Sequence, residues 1–88
     1  MNQVFKALAD PTRRMILDLL RVKDRSAGEI AEHFEMSKPS VSNHLNILKN
    51  AELVLVEKRG QFMIYSLNTT VFQDVIQWLM EVRDRSED

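Results

Sequence analysis

Hydrophobic residues recur at helical spacing along most of the chain and change to an alternating pattern only once. Residues 2–9 predict a short helix, because Val4, Phe5 and Leu8 fall on one side of it. A second helix is predicted from Pro11, after Asp10 as N-cap, to about Lys23. Its apolar face contains Ile16, Leu17, Leu19 and Leu20.

Two further helices follow, each with a capping residue at its start. "SAGEIAEHF" opens with the capping-box pair Ser26 and Glu29 and places Ile30, Ala31 and Phe34 on an inward stripe. Ser37 then caps a helix that runs to about Asn50, with Pro39 tolerated in its first turn. Only Glu35 and Met36 separate these two predicted helices, so the pair predicts a helix-turn-helix.

The alternating pattern lies in "LVLVEKRGQFMIYSL". It predicts strands over 53–57 and 62–67, joined by a turn over 58–61 that contains Gly60. Glycine at this position is explained by a positive φ in a tight turn. The hairpin tip therefore carries two adjacent cations, Lys58 and Arg59.

Residues 68–88 predict a last helix with an apolar stripe wider than one small core requires. Part of that stripe is therefore expected to bury against another subunit. The stripe consists of Val71, Phe72, Val75, Ile76, Leu79 and Val82, with Trp78 beside them.

Together these elements predict one winged helix-turn-helix domain over residues 1–88: mainly α, with about five helices and a two-stranded hairpin. A chain of 88 residues is near the size at which a single core is only marginally stable, so a partner subunit is plausible on physical grounds. No apolar run approaches the roughly 20 residues that span a bilayer, and the N-terminus lacks a signal-peptide pattern. We therefore expect a cytoplasmic protein without membrane insertion.

Charge is distributed unevenly, although the formal net charge is only −1. Residues 36–67 contain four basic and two acidic side chains, whereas residues 68–88 contain two basic and five acidic ones. Because the acids are concentrated at the C-terminal end, the middle of the chain remains available to an anion.

The predicted helix after Ser37 has an apolar back and an uncharged hydrogen-bonding front. At about 100° per residue, Val41, Leu45 and Leu48 fall together, with His44 at the edge of this group. Asn43, Asn46 and Asn50 lie nearly opposite, flanked by Ser42 and Lys38. Asparagine bonds adenine through its N6 and N7 edge, and a helix fits the major groove, so this front indicates a recognition helix. A polar surface helix that happens to lack acids is the alternative.

With these residues in place, the chain resembles the ArsR family of winged-helix bacterial repressors. The resemblance rests on "LADPTRRMILDLL", "AGEIAEHFEMSKPSVSNHLNILKNAELV" and "GQFMIYSL", which agree with the family in type, order and spacing. Within the family, "DPTRR", "SKPS", "HLNILK" and "YSLNTTV" are most similar to the SdpR-like autorepressors, which lack metal ligands.

The resemblance implies DNA contacts from the start of the recognition helix. The helical wheel independently favours Asn43 and Asn46, with Ser42 and Lys38 on their flank, whereas Ser40 comes mainly from the resemblance. The hairpin tip supplies Lys58, Arg59 and Gln61. The predicted DNA-binding residues are Lys38, Ser40, Ser42, Asn43, Asn46, Lys58, Arg59 and Gln61. His44 is explained equally well by packing at the edge of the core and by a phosphate contact, and Ile47 has no assignment.

The resemblance also implies a homodimer built on the first and last helices. The predicted interface consists of Val4, Phe5, Leu8, Val71, Phe72, Val75, Ile76 and Leu79.

The chain departs from the metal-sensing members of the family, which use cysteines on the third helix or His and acidic ligands on the last. It has no cysteine, and His33 is its only imidazole outside the recognition helix. A zinc site requires at least three protein ligands, so we expect neither a metal nor another cofactor. Catalytic motifs are absent too, and Asp10 with Arg13 or Arg14 is explained by capping and a surface ion pair.

The sequence therefore predicts a dimeric repressor of transcription that binds double-stranded operator DNA without a metal ion, with its own gene as a candidate target. Relief by a protein antagonist, by a small molecule or through autoregulation alone stays open. A metal-responsive repressor and a winged-helix protein-docking module are the alternatives. DNA binding predicts a steep salt dependence, and protein docking does not.

Overall fold

A computed structural model describes residues 1–85. Its elements follow the order α1 (Asn2–Leu8), α2 (Pro11–Val22), β1 (Arg25–Ser26), α3 (Ala27–Ala31), α4 (Lys38–Asn50), β2 (Val54–Arg59), β3 (Phe62–Leu67) and α5 (Thr69–Arg83). The five predicted helices and the hairpin are confirmed.

The predicted caps form as the sequence indicates. The Asp10 carboxylate accepts the Arg13 N–H at 3.1 Å, with Pro11 in the first turn of α2. At α3, the Ser26 hydroxyl accepts the Glu29 N–H while the Glu29 carboxylate accepts the Ser26 N–H, both at 3.1 Å. These local bonds set where each helix begins.

The sheet has three antiparallel strands in the order β1-β3-β2, so the prediction of a two-stranded hairpin was incomplete. Arg25 pairs with Tyr65 and Ser26 with Ile64, which makes β3 the central strand. A two-residue strand is too short to show a period of two, so its sequence carries no strand signal. Ser26 serves both as a strand residue and as the N-cap of α3.

Three predicted boundaries were wrong by two or more residues. Strand β2 continues through Arg59, so Lys58 and Arg59 belong to the strand and only Gly60 and Gln61 form the turn. Helix α3 ends at Ala31, and residues 32–37 separate it from α4. Helix α5 ends at Arg83; the last three residues of the predicted helix, 86–88, lie outside the described part of the chain.

The core lies between α2, α3, α4 and the base of the hairpin. Its fully buried side chains include Ile16, Ile30, Leu45, Leu48 and Leu53. Leu19, predicted on the apolar face of α2, is only partly buried. Because α4 contributes its whole apolar stripe to this core, its opposite face is directed outward.

Candidate nucleic-acid interface

Helix α4 is fixed at both its start and its back. The Ser37 hydroxyl accepts the Ser40 N–H at 3.2 Å and also contacts the Ser40 hydroxyl at 2.9 Å. Val41, Leu45 and Leu48 are buried. The orientation of the helix is therefore set by the core, and the polar front is presented on a rigid support.

All of the residues predicted to bind DNA are exposed. They are Lys38, Ser40, Ser42, Asn43 and Asn46 on α4, and Lys58, Arg59 and Gln61 at the end of the hairpin. On α4, the exposed set contains hydroxyls, amides and one cation, and no carboxylate. Such a surface can donate to phosphates and read base edges.

The hairpin ends in a two-residue turn. Gly60 has φ of 61° and Gln61 does not have a positive φ, which fits a type II′ turn with glycine at its first central position. Because side chains alternate along a strand, Lys58 and Arg59 point to opposite faces of the hairpin. The two predicted cations therefore do not form one contiguous basic patch on a single face of the hairpin.

Arg59 already has a partner within its own strand. Its Nη2 donates to the Glu57 carboxylate at 3.0 Å, and both side chains are more than half exposed. Exposed pairs of this kind contribute little stability. Replacement of Glu57 by a phosphate as the partner of Arg59 would therefore cost little free energy.

His44 lies at the edge of the recognition helix and joins it to the start of α2. Its Nδ1 lies 3.2 Å from Arg13 Nη1 and 3.8 Å from Asp10 Oδ2, and its side chain is 18% exposed. The hydrogen bond from the backbone N–H of Arg13 holds the pKa of Asp10 below its usual value. Sequence patterns did not reveal this cluster, since Arg13 and His44 are separated by 31 residues along the chain.

Two other residues of α4 contact α1 or the core. Ile47 is partly buried against the core, and it lines a groove with Gln3 and Lys6 of α1. Asn50 lines the same groove, so it lies beside α1 although the wheel placed it with Asn43 and Asn46. The polar front is therefore concentrated in the first two-thirds of α4.

The residues predicted for the dimer interface divide into three groups. Val4 and Val75 are buried within the single chain, and Leu8, Val71 and Phe72 pack partly against its core. Phe5 of α1 and Ile76 and Leu79 of α5 are exposed. Three further apolar residues of α5 are also exposed: Trp78, Met80 and Val82. The Phe5 and Trp78 rings lie 5.6 Å apart with an interplanar angle of 60°, which joins α1 to α5.

The described part of the chain contains no set of side chains that could bind a metal ion. Within residues 1–85, no three His, Cys, Asp or Glu side chains are close enough together to hold an ion. His33 is exposed, and His44 contacts Arg13. In the same range, none of the helices has the length and apolar character needed to cross a membrane.

A helix-turn-helix with an exposed amide-rich second helix, followed by a hairpin with cations near its tip, defines a winged helix-turn-helix DNA-binding protein. The model of the arsR family of bacterial regulatory proteins matches residues 10–56, more than half of the chain. The chain belongs to the ArsR family and is a transcriptional repressor by class, not an enzyme.

Similar proteins share both sequence and structure with the chain. Transcriptional repressor SdpR of Bacillus subtilis (strain 168) is 59% identical over 87 residues, covering 99% of this chain and 97% of that protein. The arsenical resistance operon repressor of Staphylococcus aureus is 38% identical over 77 residues, covering 88% and 74%.

Two solved structures show the same architecture. An ArsR-like transcriptional regulator from Rhodococcus sp. RHA1 has a TM-score of 0.88 at 30% identity, covering 94% of this chain and 76% of that one. A homodimeric winged helix-turn-helix DNA-binding domain from Mycobacterium bovis has a TM-score of 0.76 at 30% identity, covering 94% and 77%.

Proposed function

We propose that the protein is a homodimeric repressor that recognises operator DNA through α4 and the hairpin wing, without a metal ion. The observation that carries the proposal is the exposed, acid-free front of α4 opposite an apolar back that is fully docked in the core. A face intended only for solvent usually carries charges of both signs. This face offers amides and hydroxyls instead.

Base reading is assigned to Asn43 and Asn46, whose amides match the donor and acceptor pair of adenine in the major groove. Lys38, Ser40 and Ser42 are assigned to phosphates and neighbouring bases. Lys58, Arg59 and Gln61 on the wing are assigned to the adjacent backbone, where they add affinity for all sequences alike.

Dimerisation is supported by the stripe on α5 that a single chain leaves uncovered. Ile76 is 53% exposed and Leu79 is 50% exposed, next to Trp78. Two copies related by a twofold axis would present their recognition helices to successive major grooves, about 34 Å apart. We therefore expect an operator with imperfect twofold symmetry and half-sites about one helical turn apart.

Metal independence is supported by the donor set. Arsenical repressors are among the similar proteins, but this chain contains no cysteine to bind a soft ion. The residues do not fit a metal sensor of that kind, so release from DNA is assigned to a protein antagonist or a small molecule, or is unnecessary in simple autoregulation.

A DNA titration tests the proposal. EDTA-treated protein is titrated against the DNA upstream of its own coding region and against an unrelated duplex, at several salt concentrations. The proposal expects tight, selective, salt-dependent binding without metal. Equal weak binding to both duplexes at every salt concentration would contradict autoregulation, and absence of any salt dependence would favour protein docking.

Added zinc or arsenite provides the second part of the test. If the protein is metal-independent, neither ion changes the affinity for DNA. Release of bound DNA by either ion would show that the protein is a metal sensor.

A further inference from the structure

His44 lies on the recognition helix without an assigned role, and its surroundings define its protonation state. Among its neighbours in the described chain, Arg13 Nη1 is within hydrogen-bond distance of Nδ1, at 3.2 Å. Asp10 Oδ2 lies at 3.8 Å from the same nitrogen, which is too far for a hydrogen bond. The contact with Arg13 is therefore the one that determines the state of Nδ1.

Arg13 can only donate. A guanidinium carries donors and no acceptor, and it stays protonated in proteins. Its other nitrogens are occupied, since Nε donates to Ala7 O at 2.8 Å and Nη2 donates to Lys6 O at 3.0 Å. Nδ1 of His44 must therefore accept, which leaves the imidazole neutral with its proton on Nε2.

Nε2 of His44 is in contact with solvent. Within residues 1–85, no buried side-chain nitrogen or oxygen lacks a hydrogen-bond partner, and no partner for this nitrogen occurs there. The free N–H donor is thus exposed at the edge of α4, one residue after Asn43 and one turn after Ser40.

We propose that the Nε2–H of His44 donates a hydrogen bond to a phosphate of the bound DNA, and that Arg13 is the positioning residue that sets this tautomer. The inference rests on the proposed DNA-binding function of α4. Because the imidazole is neutral, the contact adds affinity for every sequence without releasing a counterion, unlike contacts from Lys58 or Arg59.

Arg13 matters because of the alternative partner of Nδ1. Without the Arg13 guanidinium, the Asp10 carboxylate at 3.8 Å remains beside Nδ1, and a carboxylate accepts. The imidazole would then carry its proton on Nδ1 and turn an unprotonated Nε2 toward the phosphate. Arg13 and Asp10 thus favour opposite tautomers, and the shorter contact decides in favour of Arg13.

Nitrogen-15 spectra of the free protein at pH 7.5 test the tautomer directly. The wild type should show a protonated Nε2 and an unprotonated Nδ1 at His44, with His33 as an internal reference. In Arg13→Met, the Nδ1-protonated form should become detectable. A dominant Nδ1-protonated form in the wild type would overturn the proposal, and an unchanged spectrum in Arg13→Met would overturn the role of Arg13.

DNA binding tests the phosphate contact with two matched variants. Asparagine at 44 places an acceptor near Nδ1 but offers no donor at the position of Nε2, whereas glutamine places an amide donor near Nε2. His44→Asn should weaken binding to operator and unrelated DNA alike by roughly ten- to a hundredfold, the range of two neutral hydrogen bonds, one from each subunit. His44→Gln should stay within about twofold of the wild type.

The salt dependence separates this contact from other roles. Both variants should keep the wild-type slope, because no charge is lost. A slope reduced by about one unit per subunit would show a contact by a protonated imidazole, and a loss confined to the operator would show base reading; either result overturns the proposal. If the wild type binds no DNA, the proposed function fails, while the nitrogen-15 result still reports the tautomer.

Discussion

Glu52 shows how one residue ends the recognition helix. It has φ of 60°, a left-handed conformation that side chains with a Cβ rarely adopt. Its N–H bonds Lys49 O at 2.9 Å, and the N–H of Leu53 bonds Leu48 O at 3.1 Å. This pair of bonds is a Schellman motif, in which glycine usually occupies the position of Glu52.

Glu52→Gly should therefore stabilise the folded protein. Glycine avoids the left-handed penalty but loses more entropy on folding, so a net gain of about 0.5–1 kcal/mol is expected. Urea unfolding at one fixed protein concentration measures it. Glu52→Ala is the control, because it removes the charge and keeps the Cβ; an equal gain in both variants would show that charge, rather than backbone conformation, is responsible.

Asn43 and Arg59 represent two kinds of DNA contact. Asn43→Ala should cost about 1–3 kcal/mol on the operator and relax base preference at one position. Arg59→Ala should weaken all sequences alike and lower the salt slope by about one unit per subunit. Affinities for the operator, single-base variants and an unrelated duplex, each at several salt concentrations, distinguish the two effects.

Glu57→Gln is the matched control for Arg59. It frees the guanidinium and removes an acid from the wing, so affinity for every duplex should rise.

If Asn43→Ala leaves operator affinity unchanged, the assignment of the reading face is wrong.

At the scale of elements, the sequence predicted helix starts better than it predicted short strands. Asp10, Ser26 and Ser37 act through side-chain bonds to residues three positions away, so local sequence contains the whole signal. Strand β1 and the cluster of Arg13 with His44 depend on distant parts of the chain meeting, which local patterns do not encode. The exposed front of α4 could be predicted because its periodicity is strong.

The capping carboxylates predict how stability depends on acid. Hydrogen bonds from the Arg13 N–H to Asp10, and from the Ser26 N–H and hydroxyl to Glu29, hold the pKa of each carboxyl below its usual value. A lowered folded-state pKa stabilises the protein above the unfolded values of 3.8 and 4.5, and this contribution is lost as the pH falls through the lower folded values.

The double variant Asp10→Asn, Glu29→Gln tests this effect, since both replacements still cap but do not titrate. Urea unfolding between pH 7 and pH 3 should show a smaller acid loss in the double variant than in the wild type. Identical profiles for the two proteins would mean that other carboxyls control acid unfolding.

At the scale of the whole molecule, the single chain is more extended than a compact domain of the same length. Its radius of gyration is 14.7 Å, compared with about 12 Å for a compact chain of this length. Of the fifteen residues of α5, only Val75 is buried. Such a helix is expected to depend on a second copy for its burial.

Leu79→Glu should therefore convert the proposed dimer to a monomer and lower operator affinity at least tenfold. Placing a charge in the buried centre of an interface is costly, and a monomer has only one recognition helix to contact the operator. Light scattering coupled to size exclusion, and the same DNA titration, measure the two effects. Thr70→Glu adds an equal charge on the opposite, exposed side of α5 and should change neither; a dimeric Leu79→Glu would place the interface elsewhere.

The closed base of the hairpin has a mechanical consequence. Asn68, the residue before α5, donates its backbone N–H to Leu53 O at 3.0 Å and its side-chain amide to Glu52 O at 2.9 Å. The two strands, six residues each and about 20 Å long, are thus hydrogen-bonded at their base to the end of the recognition helix, and we expect them to tilt as one rigid unit. A tilt of about 5° at this base moves the tip by roughly 2 Å, enough to break a hydrogen bond between Arg59 and a phosphate.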